Sequence, residues 1–554
     1  MIRSATAVLA LAVLAAPAHA QQVSRLLPDS VAHRIIDTYN RGPTLRLAGD
    51  GRIGAGTAMR GDVAVLGNLV IDGTVDGDVV VINGDLEVRA GARIGGSVDV
   101  AGGRARVAAG ADVAGPVRVY REPLRYRQRG DRLVYVPPAD EPGLAAGVDL
   151  PFGRTDLLIA SHGPYNRVEG LPIAIGPRVR SAGSYTTTAR AILIARTARA
   201  SELEPRRIGY DLRAEQVVVP AAGLSFGARL YSEIASIESH GISDREASLA
   251  AFVLHRDYRD YYQRDGWSVY GRLHRPGAPW TAELEYRDEE HASRPAGNPF
   301  TILHNRSSWR PQPVIAAGAL RSITATLHYD TRNEHRDPSA GWLASVSIER
   351  GLGGGIRNHA VEEAIPVPDG GARTGFMTAT ADVRRYARLT PYSRIAVRVF
   401  AAGSLDARAL PPQRQHVLGG EGSLPGYRLM EFDCGARSST IVSSGDTFHP
   451  YYGCDRAALV QLEYQANFPF ARRLAEHAGI GGAVGSLVRW VAFFDAGRAW
   501  TEPAALGYRL GGNDDFSANA GIGLRAGPIG AYVAVPLSAS GQDFNFFIRL
   551  VPRL

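Results

Sequence analysis

The stretch ALVQLEYQANF, residues 458–468, alternates apolar and polar side chains almost throughout. Val460, Leu462, Tyr464 and Ala466 fall on one side of an extended chain and Gln461, Glu463, Gln465 and Asn467 on the other, because successive strand side chains point to opposite faces. ITATLHYDTR, residues 323–332, repeats the pattern, with Ile323, Ala325, Leu327 and Tyr329 opposite Thr324, Thr326, His328 and Asp330. FNFFIRL, residues 544–550, again sets Phe544, Phe546, Ile548 and Leu550 on one side. Segments of this kind fill residues 148–554, separated by polar, glycine-rich loops and without the period of a propeller blade. Roughly 400 residues accommodate sixteen strands at about 25 residues per strand and loop. The pattern predicts an all-β chain whose larger part is a 16-stranded transmembrane antiparallel β-barrel, apolar outside and polar within.

The composition agrees. The chain has 554 residues with 63 Gly, 22 Tyr and 16 Phe. Beyond the first twenty residues no apolar run approaches the ~18 that a membrane helix needs, so a spanning chain has to be a closed barrel. All 62 basic residues are arginine, and the net charge of +7 is dispersed rather than clustered, which does not make a nucleic-acid surface. Residues 1–20 hold Arg3, an apolar run from Ala5 to Ala16 and Ala18-His19-Ala20, the pattern of a cleaved secretory signal peptide. In an exported chain Cys434 and Cys454, twenty positions apart, suit a local disulfide. Two cysteines without a suitably spaced histidine pair do not make a metal site, and no cofactor is expected.

Residues 21–44 read as a linker with one short helix, Val31, Ile35 and Tyr39 sharing a face. A repeat follows over residues 45–120. Val63, Val79, Val98 and Val117 form one column, and Val65, Val81, Val100 and Val119 a second; Leu69/Ile71, Leu86/Val88 and Ala105/Val107 make another face, and Val75, Ile94 and Val113 a third. Short strands turning at Gly, Asn or Asp corners bury their apolar sides only when coils stack, so the segment predicts a β-solenoid. It resembles the bactofilin-type polymer-forming domain. Residues 121–147, rich in Arg and Pro, read as a linker to the barrel at 148–554.

Five barrel segments stand in a telling order: YNRVEGLPIAIG from Tyr165, YDTRNEHRDPSAGW from Tyr329, LGGEGSLPGYR from Leu418, FFDAGRAW from Phe493 and GIGLRAGPIGAYVAVPL from Gly521. Together they resemble the BamA/TamA-like surface-antigen barrels of Gram-negative outer membranes. The resemblance implies that the third segment is a loop re-entering the lumen, with Gly426, Tyr427 and Arg428 at its tip and Asp495 as the partner of Arg428. A confined guanidinium needs a carboxylate. Here Pro425 takes the position where the family carries arginine, and Arg428 lies three places on. No helix-pair pattern of the family's POTRA domains occurs in residues 21–147.

The chain is not expected to be an enzyme. GLSFG, residues 223–227, fits the nucleophile-elbow spacing, but Ser225 lies in a strand pattern rather than between strand and helix. The resemblance implies a protein-insertion or translocation barrel in outer-membrane or envelope biogenesis, handling polypeptide or lipid, with the solenoid in the periplasm. The alternative is a structural anchor tying a solenoid assembly to the outer membrane. Expected partners are outer-membrane lipid, client polypeptides or other envelope proteins, and a second copy through the solenoid.

Overall fold

The computed structural model describes residues 22–554 apart from 25–26, 28, 125, 130, 136–142, 199–207, 239–240, 276–277, 305, 333–336, 358–373, 391–392, 407, 435–440, 444–445, 451–452, 468–487, 502–514 and 539–543. The expected signal peptide lies outside the described residues. The chain divides into two compact units, Met1–Pro138 and Ala139–Leu554, the division falling inside the segment read as a linker.

In the first unit the repeat columns are the rungs of a parallel β-solenoid. Leu45, Val63, Val79, Val98 and Val117 are stacked partner on partner, as are Leu47, Val65, Val81, Val100 and Val119. Two four-stranded sheets form the other faces. Val63, Val65, Leu69, Ile71 and Val75 and their equivalents in later coils are buried in one continuous core, each such side chain contributing about 1.5–3 kcal/mol. The polar corners have their own ladder: Asp50 accepts from the Asn68 amide at 2.7 Å, Asn68 from that of Asp85 at 2.8 Å, and Asp85 from that of Arg104 at 2.8 Å. Side-chain oxygens thus satisfy the backbone where the strands break. The helix Asp29–Asn40 lays Val31, Ile35, Ile36 and Tyr39 on the outward residues Ala64, Val80, Ile82 and Ala101. The strand Gln22–Ser24 pairs with Val117–Tyr120 and covers one edge of the six-stranded sheet.

The second unit is a 17-stranded antiparallel sheet curled into a barrel. Sixteen of its strands run from Gly153–Ser161 to Asn545–Arg549; the seventeenth, Gly143–Leu150, pairs with Gly153–Ser161 and starts within the segment read as a linker. Short turns join Leu150 to Gly153 and Ala526 to Ile529 at one end, while long loops join Ser236 to Tyr261, Ala292 to Gly318 and Ser404 to Arg456 at the other, the asymmetry of outer-membrane barrels. The alternation is carried through: Leu284, Leu327, Val460, Leu462, Phe546 and Ile548 are exposed on the outer face, whereas Ser322, Thr324, Gln461, Glu463 and Gln465 are buried within. An apolar belt of this extent is not tolerated in water and marks the face that meets lipid. Ser225 sits inside the strand Leu224–Ser236 and donates to Glu215 at 2.7 Å.

Candidate functional site in the lumen and at the seam

The loop Leu418–Cys434 re-enters the barrel and packs against its wall. Gly419 and Gly420 take φ of +118° and +82°, a region that suits glycine. Gly426 passes so close to the wall that a Cβ there would lie 2.8 Å from Asn519 Cβ and 3.0 Å from the Pro536 nitrogen. Its amide donates to Asn519 at 3.4 Å, and Tyr427, buried against Phe432, donates its hydroxyl to the Ala518 and Ser538 carbonyls at 3.0 and 3.2 Å. Asn545 donates to the Pro425 carbonyl at 2.8 Å and Gln461 to that of Ser423 at 3.0 Å. The loop therefore grips the last strands of the barrel through its backbone and one tyrosine. Cys434 is bonded to Cys454, tying the outer part of the loop.

Gly426 and Tyr427 lie against the last strands of the barrel, but Arg428 does not meet Asp495. The phenol of Tyr427 turns inward and the next side chain, Arg428, is exposed, with its amide held by Glu431 at 2.7 Å. Asp495 is fully buried and its oxygens are taken: Arg553 Nη2 approaches them at 2.8 and 2.9 Å, Asn519 donates at 2.9 Å and Gln461 at 3.2 Å. The Arg553 guanidinium also lies 3.7 Å above the centre of the Phe493 ring. The cation for Asp495 comes from the residues after the last strand, not from the loop.

The loop does deliver an arginine, from farther upstream. The 3₁₀ turn Pro412–Arg414 brings Arg414 to Glu349 on the strand Gly341–Gly354, with bonds of 2.7 and 3.1 Å, and to the Tyr262 hydroxyl at 2.9 Å. Gln413 donates to the Ala316 carbonyl and accepts from its amide, and meets His291 at 3.0 Å. Pro411 and Pro412 were the legible signal: they preset a turn just before an arginine, four positions ahead of the segment expected to enter the lumen.

A third contact joins the last strand to an outer loop. The strand Asn545–Arg549 stops where Glu246, on the loop helix Asp244–Leu254, binds Arg549 at 2.8 and 2.9 Å and accepts the amides of Leu550 and Val551 at 2.7 and 3.3 Å. Leu550, read as the end of the alternating strand, is thereby drawn out of it. Residues 550–554 cross the lumen until Leu554 packs on Tyr386 and Ala396. Arg549 further donates to the Glu421 carbonyl at 3.1 Å, so helix, loop and last strand share one guanidinium.

These contacts shape the seam. Asn545–Arg549 makes five residue pairs with Ile529–Pro536 and, among the described residues, none on its other edge. The facing edge of Gly153–Ser161 is taken by Gly143–Leu150. Among the described residues, Gly153–Ser161 and Asn545–Arg549 are thus not paired with each other.

No curated protein matches the chain. Solved structures of similar course include BamA from Haemophilus ducreyi lacking POTRA domains 1–3, at 16% identity and a TM-score of 0.41 over 74% of this chain and 75% of that one. CdiB from Escherichia coli follows at 13% and 0.30 over 77% and 67%, and CdiB from Acinetobacter baumannii at 13% and 0.30 over 73% and 57%. Likenesses this loose carry no function across. Residues 218–548, well over half of the chain and including the lumen loop and the last strands, match the Omp85 superfamily domain, and the chain belongs to that superfamily.

Proposed function

We propose that the barrel handles polypeptide at its seam, inserting chains into the outer membrane of a Gram-negative bacterium or passing them across it. Superfamily membership supports the general role. The observation that carries the reading is the last strand: it is short, drawn inward by Glu246 and unpaired on its far edge among the described residues. A strand edge facing lipid costs several kcal/mol per unpaired backbone group, so a barrel held in this state is prepared to pair with another strand. Depletion of the protein followed by outer-membrane proteomics tests this. Loss of particular outer-membrane or secreted proteins is expected; an unchanged membrane with altered cell shape refutes it.

The anchor alternative has less support. Gln22–Ser24 already covers one edge of the largest solenoid sheet, which works against continuous stacking of copies at that edge. Deleting residues 45–120 separates the readings, since an anchor loses all function and a self-sufficient barrel retains it.

A further inference from the structure

The strand Gly143–Leu150 is paired on one side only. Eight residue pairs, from Gly143↔Ala160 to Leu150↔Gly153, join it to Gly153–Ser161, and among the described residues nothing pairs with its other edge. Every neighbour inside the sheet has two partners. Val148 is exposed on the outer face, as are Leu157 and Ile159 of the strand beside it. Gly143–Leu150 is therefore a member of the wall that has half of a wall strand's ladder.

Its fit depends on one position. Gly147 lies opposite Asp156, which is buried and bound by Arg154 at 2.7 Å and Arg178 at 3.1 Å. A Cβ at residue 147 would stand 2.0 Å from Asp156 Oδ1 and 2.7 Å from Arg154 Nη2. The ionic cluster on Gly153–Ser161 and the next strand thus forms a notch that accepts glycine and no larger residue without displacement of the cluster.

We propose that Gly143–Leu150 is a resident seam strand, held in register by the glycine notch, which occupies the edge of Gly153–Ser161 and has to be exchanged for an incoming strand before the barrel works. Exchange is favoured over simple opening because release without replacement would add the edge of Gly153–Ser161 to those already unpaired, at several kcal/mol per backbone group facing lipid. An occupant with one partner is the one that exchanges at least cost. The strand thereby acts as an autoinhibitory segment, and it sets what can replace it: an extended segment with glycine opposite Asp156 and apolar residues outward. The inhibitory role rests on the proposed polypeptide handling; the docking of the strand does not.

The test uses the full chain reconstituted in phospholipid vesicles. Val148 and Thr155 face each other across the pair, so Val148→Cys with Thr155→Cys is expected to form a disulfide, seen as a reducible gel shift and by peptide mass spectrometry. Adding Gly147→Val is expected to abolish that crosslink and raise bilayer conductance, and adding Asp156→Ala to Gly147→Val to restore the crosslink by emptying the notch. Absence of the crosslink in the otherwise unaltered protein, or its persistence with Gly147→Val, overturns the resident strand. A second readout addresses inhibition: the crosslinked protein is expected to lose insertion of a urea-unfolded outer-membrane barrel polypeptide and to regain it on reduction. If the crosslink and notch behave as expected but locking leaves insertion unchanged, the inhibitory role is overturned while the docked strand stands. If the unlocked protein does not insert the polypeptide at all, the polypeptide-handling reading itself fails, and the inhibitory role with it.

Discussion

Replacing Glu246 by alanine removes four acceptor contacts to the end of the chain at once, and a fifth to the Ser243 hydroxyl. Arg549 loses both of its bonds to the carboxylate, and the amides of Leu550 and Val551 lose their acceptor. Breaking a buried ion pair by deleting one partner costs about 3–5 kcal/mol, and each amide left dry and unpaired adds about 1–3 kcal/mol. The residues after the last strand have an escape, however: they can leave the lumen and take their polar groups to water. The cost is then capped at the free energy of docking, and about 4 kcal/mol is the expected loss, a shift on the order of a thousandfold in the docked population. Two measurements read it. Denaturant unfolding in lipid vesicles gives the stability of Glu246→Ala, Arg549→Ala and the double variant, with a coupling of at least about 2 kcal/mol expected. Maleimide labelling of Val551→Cys gives the exposure of the segment, expected to accelerate when Glu246 is removed. Single losses that add within about 0.5 kcal/mol, together with an unchanged labelling rate, refute the clasp.

The lumen arginines should separate sharply. Arg428→Ala is expected to change stability by no more than about 0.5 kcal/mol, as an exposed substitution does, whereas Arg414→Ala and Arg553→Ala each lose about 3–5 kcal/mol by stranding Glu349 and Asp495; denaturant unfolding of the three variants checks the order. Asp455 lies in the outer loop just before the strand Arg456–Asn467, and burial pushes its carboxyl up to about 6. A folded-state value above the unfolded one means that the contribution is intact below pH ~4 and lost as pH rises through ~6, at most about 3 kcal/mol. Protease resistance of the loop should therefore fall from pH 5 to pH 7.5 and become flat in Asp455→Asn, whose carboxamide oxygen can still accept from Leu410 as Asp455 does at 2.9 Å. Cys434→Ser or reduction frees the outer part of the loop, costing about 3 kcal/mol of loop stability, read by the same proteolysis.

Local periodicity made much of the fold legible. Alternation in ALVQLEYQANF places Gln461, Glu463 and Gln465 inside and Val460 and Leu462 outside whatever the neighbouring strands are, because strand geometry alone decides it. The valine columns likewise name the stacked partners of the solenoid, since every coil has to repeat the side chains of the coil before it. The lumen loop was legible through the family resemblance of LGGEGSLPGYR rather than from its glycines, which suit a surface loop as well; its contacts at Gly426 and Tyr427 depend on backbone and shape.

Which charges pair was not readable. A lumen offers several arginines to each carboxylate, and the choice depends on where long loops and the end of the sheet come to rest. Asp495 could be met by Arg428 or Arg553 as far as residue type goes; the inward turn of the chain after Arg549 decides for Arg553. Gly143–Leu150 shows the same limit. By itself GLAAGVDL is a short run of small and apolar residues, and only the Arg154–Asp156–Arg178 cluster across the ladder makes its glycine a requirement. Periodicity is a property of neighbouring residues, so the chain determines by itself which faces are buried. The pairs Arg414–Glu349, Arg553–Asp495 and Arg549–Glu246 join residues tens to hundreds of positions apart, and the notch at the seam needs Arg178 from the next strand; these the tertiary structure alone decides.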